Sequence, residues 1–414
     1  MNINLTSRRQ FIAALTSFGL GVSIIPAELI SATVAKTRAE HVIYLYMEGG
    51  MSHIDTFDPK ENDLVRGSFV GKETIVPGLK LNQNLIELGK RADKMAVIRS
   101  MSVKTGAHEQ AQYMARTSYN QIGTIVHPHL GSWIAAIAPD NNGSLPNDVT
   151  INAPSSHPNS GWMSKRFSPL SIPDPLKGLA DATLKDLGQF NKRVDILQRA
   201  NKMRSFGASP AAKQYVEFYD DTIRLLNSKD LDIFDLSKEP ESIRAKYGSD
   251  KFSQGCLLAR RLIQYGKVNF VEVNHGGWDT HSDNFNQLNT KLPVVDNAVG
   301  ALIDDLQANG LLKKTLIVIT TEFGRTPEPE GTGRGHHPKA YSSVLIGAGI
   351  RGGAIYGTTD DRGATIVDKP ATVEDFNATI LAAMGLNWET KLVSPEGRPF
   401  TPVNRGQPIL EVLA

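Results

Sequence analysis

The stretch from Asn269 to Pro338 constrains the fold more than any other part of the chain. It opens with an apolar, β-branched run, Asn269-Phe-Val-Glu-Val-Asn274, and a second run follows at Thr315-Leu-Ile-Val-Ile-Thr-Thr321. Between them, Asn284 to Asn309 carries the periodicity of a long helix. Strand, helix and strand at this spacing predict a βαβ unit with two parallel, adjacent strands, because a parallel pair needs a crossover of this length. Ligands of such sheets gather beyond the carboxyl ends of the strands. Both runs end there in residues of metal-binding type: Asp279 and His281 after the first, Glu322, His336 and His337 after the second. Carboxylates combined with imidazoles suit zinc, manganese or iron better than calcium or magnesium. Neighbouring side chains on extended backbone point to opposite sides, so one of His336 and His337 is expected as a ligand and the other as a supporting group. His336 is the preferred ligand.

The rest of the 414-residue chain is read around that unit. Its formal net charge of +2 gives no basic or acidic face of the kind that draws nucleic acid. The length fits one large α/β domain with an insertion. The single cysteine, Cys256, excludes a disulfide within the chain and sits on what reads as the buried face of a helix, where core packing is expected rather than a catalytic thiol. At the N-terminus, Thr6-Ser-Arg-Arg-Gln-Phe-Ile12 matches the twin-arginine export pattern. A mildly apolar stretch follows to Ile30, and Ser31-Ala-Thr-Val-Ala35 offers small residues for cleavage. Residues 1–35 are therefore expected to be a signal peptide read by the twin-arginine export machinery, giving a periplasmic or secreted protein of residues 36–414. The segment is too weakly hydrophobic for a stable membrane span.

Mature sequence begins with His41-Val-Ile-Tyr-Leu-Tyr-Met47, the near-continuous apolar run of a central parallel strand. It ends in Glu48-Gly-Gly-Met-Ser-His-Ile-Asp-Thr-Phe-Asp-Pro59, which sets Glu48, Ser52 and Asp55 near the strand's carboxyl end; Asp58 before Pro59 reads as a turn former. A helix is predicted over 82–92 and a buried strand over Met95-Ala-Val-Ile-Arg99. Thr105 then stands between that strand and a helix starting near Glu109, with Ser102 behind it. There it could present a hydroxyl beside an oxyanion-binding helix end or simply cap the helix. Further helices are expected at 127–138, 252–265 and 372–384, and strands at 148–152 and 341–347. Residues of about 177–247 change character: the apolar positions Leu179, Leu184, Leu187, Phe190, Val194 and Leu197 predict a charged helical insertion packed on the sheet domain.

These motifs resemble a known family. The segments Gly49-Gly-Met-Ser-His-Ile-Asp-Thr-Phe-Asp-Pro-Lys60, Leu257-Leu-Ala-Arg-Arg261, Gly277-Trp-Asp-Thr-His281, Thr321-Glu-Phe-Gly-Arg-Thr-Pro327 and His336-His-Pro338 are similar to those of the domain of unknown function 1501 family. That family consists of secreted bacterial proteins placed with the alkaline phosphatase-like superfamily, beside sulfatases and phosphomutases. The resemblance implies a three-layer α/β/α fold with a largely parallel sheet. It also implies a metal-dependent hydrolase of phosphate or sulfate esters, small molecules or glycans, with one or two divalent ions, zinc or manganese. By the same resemblance Glu48 takes the place of the superfamily's first metal-binding Asp, and Thr105 that of its nucleophile, with Ser52 as substitute. Asp279, His281, Glu322 and His336 or His337 follow as metal ligands, and Asp55 joins them from the first loop. His108 and Arg325 are expected to steady the equatorial oxygens of the ester, Arg through its two-pronged fork. Phe323 departs from the pattern, standing where an imidazole is expected. A fold retained by a secreted binding or assembly protein of impaired catalysis is the alternative.

If Arg8 and Arg9 address the chain for export, the double variant R8K/R9K leaves uncleaved precursor in the cytoplasm. Cell fractionation and immunoblotting would read this out, and wild-type export of that variant would remove the reason to regard the first ~35 residues as a signal.

Overall fold

The computed structural model of the protein describes residues 38–139, 143, 145–179, 192, 195, 196, 199, 221 and 223–414. The proposed signal segment lies outside these residues, as do Leu184, Leu187, Phe190, Val194 and Leu197 of the expected insertion.

Nine strands make the main sheet. They are β1 (His41–Met47), β2 (Met95–Ser102), β3 (Asp148–Ile151), β4 (Leu170–Ile172), β5 (Phe270–His275), β6 (Thr315–Thr320), β7 (Tyr341–Gly347), β8 (Ala354–Tyr356) and β9 (Ala371–Thr372). Their order is β8-β2-β7-β6-β1-β5-β3-β4, with β9 also paired to β2. Strand β1 is parallel to β5 on one side and to β6 on the other. Only β7 runs antiparallel to both of its neighbours, β2 and β6. The sheet is thus mixed and mostly parallel. One expectation needs correction: the strands β5 and β6 are parallel but not adjacent, because β1 lies between them. The crossover rule fixes direction and leaves the number of strands skipped open.

Helices cover both faces. They are α1 (His108–Thr117), α2 (Leu130–Ile137), α3 (Glu241–Tyr247), α4 (Lys251–Gln264), α5 (Asn284–Ala308) and α6 (Val373–Ala383). In β1 the period of two divides the side chains: Ile43, Leu45 and Met47 enter the core beneath α4 and α5, while Val42, Tyr44 and Tyr46 enter the core beneath α1, α2 and α6. Both faces are covered, which is why the strand reads as an unbroken apolar run rather than an alternation. Cys256 is fully buried in the first of these cores, and burial pushes its thiol well above the ordinary value, so it packs as a small hydrophobe. The helix expected over 82–92 shrinks to one turn, Ile86–Gly89, followed by a 3₁₀ turn at Ala92–Lys94. Asp296 of α5 accepts from the backbone N–H groups of Glu87 and Leu88, so a tertiary partner takes over the capping of that short turn. Within the insertion, Leu225, Ile233, Phe234, Leu236 and Tyr247 pack into the core under α4 and α5. No helix among the described residues is long and apolar enough to cross a membrane.

The loops at the carboxyl end of the sheet are held by a buried ion pair. Asp55, beyond β1, receives both Arg334 Nε (2.7 Å) and Nη2 (2.9 Å), and both side chains are fully buried. Arg334 also donates to the carbonyls of Val65 and Thr326, and Asn284 completes the Asp55 shell at 3.1 Å. Asp55 was expected as a metal ligand; both of its oxygens instead receive these three donors, and it clamps two loops together.

Removing one partner strands the other charge in the interior. R334A should therefore lose about 3–5 kcal/mol of unfolding free energy in urea titrations, and D55N somewhat less because the amide keeps one acceptor.

Candidate metal centre

Strand β5 runs out through His275-Gly-Gly-Trp278 into Asp279, and its neighbour β1 turns sharply at Gly49. A tight approach dictates glycine there: φ is +120°, and a Cβ would stand 2.5 Å from the Asp279 backbone nitrogen. The turn aims the Gly49 N–H at Glu322, two residues beyond β6, at 2.9 Å from Oε1. Glu322 is fully buried and takes four further donors: Tyr46 Oη (3.2 Å) and Thr321 Oγ1 (3.1 Å) on Oε2, and His108 Nδ1 (2.8 Å) and Gln112 Nε2 (3.2 Å) on Oε1. Burial alone would push this carboxyl up, but the hydrogen bonds from His108 and Gln112 outweigh it and hold its pKa below the ordinary value.

His108, the first residue of α1, is thereby oriented. Its other nitrogen, Nε2, is buried and lies 3.3 Å from Asp279 Oδ1, close enough for an ion pair yet not aligned as a hydrogen bond. The hydrogen bond to Glu322 is the main cause that raises the His108 pKa. Onto the same Oδ1 converge His281 Nε2 at 3.1 Å and His336 Nε2 at 3.2 Å. The two imidazoles also meet each other, Nε2 to Nε2, at 2.9 Å. His336 is steadied from behind by Nδ1 donating to the Gly106 carbonyl at 2.7 Å. From below, fully buried Arg325 pairs with Asp279 Oδ1 and bonds the carbonyls of Gly49 and Gly50. Partial burial pushes the Asp279 carboxyl up, and Arg325, with His108 and His336, overrides it to leave a pKa of about 2.

His108, Asp279 and His336 each offer a ligand atom, and all three atoms lie within 4.8 Å of one another. Three imidazoles crowd one carboxylate oxygen, and one of them carries an orphaned buried nitrogen aimed into the group. Two or three nitrogens and an oxygen form a donor set that fits zinc or manganese. With ligand bonds of about 2.0–2.2 Å, small side-chain movements would close the set on an ion.

The structure thus brings together Asp279, His281, Glu322, His336 and His108 from the expected residues, with His108 among the donors rather than facing an ester. Others fall elsewhere. His337 points away from His336, as backbone alternation requires; its Nε2 donates to the Ala364 carbonyl (2.8 Å) and its ring stacks on His53. Ser52 is buried, its hydroxyl receiving the Asp55 N–H at 3.2 Å. Thr105 accepts from the Ala107 N–H at 3.1 Å and meets Gln110 Oε1 at 3.3 Å, so its hydroxyl caps its own turn while its neighbour Gly106 supports His336. Arg325, fully buried, spends its fork on Asp279 and on the carbonyls of Gly49, Gly50 and Arg334 rather than presenting it to an incoming anion. Glu48 is half-buried beside the group, and its carboxylate makes no hydrogen bond among the described residues. Burial raises its pKa, against the charge of Arg116. Gln112 and Tyr46 escaped sequence reading; Gln112 follows His108 by one helical turn, a spacing that could have exposed it.

A family model described as Protein of unknown function (DUF1501) matches residues 39–413. No curated protein matches the sequence. Among solved structures, the chain is similar to the PsFucS1 sulfatase from Pseudoalteromonas sp. at 11% identity and a TM-score of 0.37, over 92% of this chain and 72% of that one. It is also similar to alkaline phosphatase from the Antarctic bacterium TAB5, at 12% identity and a TM-score of 0.33, over 85% and 99% of the two chains. A third is the phosphonate monoester hydrolase SpPMH from Silicibacter pomeroyi, at 11% identity and a TM-score of 0.35, over 89% and 75%.

The raised His108 pKa gives a signed expectation. The stabilisation it reports is fully present below the unfolded value near 6.5 and is lost as pH rises through the folded one. An ion must displace that proton, so affinity for zinc falls as pH drops through the His108 pKa. In metal-free protein, NMR titration of the His108 ring should give a pKa above 6.5, and E322Q should lower it.

Proposed function

Because the chain belongs to the DUF1501 family, whose function its description leaves open, we propose that it is an exported, metal-dependent hydrolase of phosphate or sulfate esters. The observation that carries this reading is the convergence of His108, His281 and His336 on one oxygen of Asp279, at the carboxyl edge of a mostly parallel sheet. A divalent ion bound there would supply Lewis-acid polarisation of an ester oxygen and of the attacking hydroxyl. The chain's own residues do the rest. Asp279, ionised at all ordinary pH, holds the imidazoles in register. Glu322 orients His108 by accepting the hydrogen bond from its Nδ1–H. His281, more than half exposed, leaves the group open toward solvent for substrate entry. Thr105 is the hydroxyl assigned as nucleophile, since it precedes Gly106, whose carbonyl touches His336. To attack, it must release its capping contact with the Ala107 N–H.

One observation favours the alternative of a secreted binding or assembly protein. Arg325 already neutralises Asp279, and Phe323 packs against His108 and His336 at ring distances of 4.8 and 4.7 Å, where a further imidazole was expected. A single-ion or ion-free centre would then be structural.

Metal analysis and turnover separate the two. Protein recovered after export should carry zinc or manganese and hydrolyse an aryl phosphate or aryl sulfate in a chelator-sensitive manner. H336A should lose most of the metal, and T105A should keep it while kcat falls by about 10³-fold or more. Metal-replete wild type without turnover on either ester class would defeat the hydrolase reading; T105A with undiminished kcat would defeat only the nucleophile.

A further inference from the structure

A second constellation lies deeper along α1. Eight residues beyond His108, about 12 Å down the helix at 1.5 Å per residue, Arg116 lies over the Tyr46 ring at 4.1 Å. It donates to Glu272 Oε1 at 3.0 Å and to Asn274 Oδ1 at 2.8 Å. Glu272 sits in the middle of β5, within Phe270-Val-Glu-Val273, an otherwise apolar strand with 1% of its surface exposed at this position. Its second oxygen faces His157 Nε2 at 3.3 Å. His129, immediately before α2, stands edge-on to His157 with ring centres 4.6 Å apart. His129 is itself gripped through Nε2 by Asp148 Oδ2 at 2.5 Å. All four side chains are almost completely buried.

We propose that His129, His157 and Glu272 form a second, fully buried cation site for a zinc-type transition-metal ion, with Asp148 as the residue that positions His129. Three observations carry this. The three residues each offer a ligand atom, mutually within 4.8 Å. The His157–Glu272 separation of 3.3 Å is long for an N–H···O bond but equals the ligand-to-ligand edge of a tetrahedral site with bonds of about 2.0–2.1 Å. Asp148 on His129 reproduces the carboxylate–histidine support that fixes the tautomer of a metal-bound imidazole, leaving Nδ1 to ligate. The charge balance agrees: with neutral imidazoles, two buried carboxylates face one guanidinium, a net negative interior that a cation relieves. Glu272 stays ionised there, for although burial opposes it, Arg116 and His157 hold its pKa far below the ordinary value. The inference is independent of the proposed hydrolase activity, because none of these groups belongs to the outer centre.

The test leaves the buried cluster untouched at first. In H281A/H336A the outer centre keeps only His108 and Asp279 of its close donors. After chelation and reloading with cobalt(II), this variant should retain one ion per chain. X-ray absorption should show a first shell with two imidazoles and at least one oxygen. D148N in that background should weaken retention about 10–100-fold, and H157N should abolish it, with circular dichroism confirming that each variant is folded. Cobalt-free H281A/H336A, a first shell with fewer than two imidazoles, or retention by folded H157N equal to its parent would overturn the site. Should H157N fail to fold, the metal count and shell of H281A/H336A decide alone.

Discussion

A fully buried carboxylate just beyond β6 sets the terms for the rest of the molecule. Glu322 stays ionised in the interior because Tyr46 of β1, the Gly49 N–H of the turn after it, the Thr321 hydroxyl, and His108 and Gln112 of α1 all donate to it. Leaving such a charge unpaired costs several kcal/mol. The requirement therefore fixes how tightly β1 turns, where α1 starts, and which nitrogen of His108 remains for the outer centre. Loop geometry, helix placement and ligand orientation are three consequences of one desolvated group.

Asp279 works the other way. It is partly open to solvent, and four cationic or potentially cationic groups crowd one oxygen: Arg325 from beneath and three imidazoles from above. The guanidinium keeps the carboxylate ionised and restrains its position, while the imidazoles gather on its outer side.

Helix α1 links the two constellations. Its first residue reaches Glu322, and its last turn carries Arg116 to Tyr46 and Glu272. Tyr46 meets both, donating to Glu322 while lying under Arg116. Glu48, between them, is close enough for Arg116, Glu322, Glu272 and His108 all to bear on its charge. The face of the sheet beneath α1 and α2 is consequently polar near the carboxyl edge, whereas the face beneath α4 and α5 is a continuous apolar core.

The sequence by itself determined the layers and the outer donors. Apolar runs at His41–Met47, Phe270–His275 and Thr315–Thr320 could only be strands buried on both faces, and the long 3.6-period between the last two required a parallel crossover. Strand ends collect ligands, so Asp279, His281, Glu322 and His336 were legible as soon as the strands were, and alternation already divided His336 from His337. Which strand separates β5 from β6 was not legible, because periodicity records which face is buried and carries nothing about lateral order. Nor was the fate of Asp55 and Arg325: their partners Arg334 and Asp279 lie in other loops, whose approach depends on the closed sheet. The buried group at Glu272 left one trace, a charge inside an apolar strand. Its partners His129, His157 and Arg116 come from three other segments, and long-range packing alone decides that they meet.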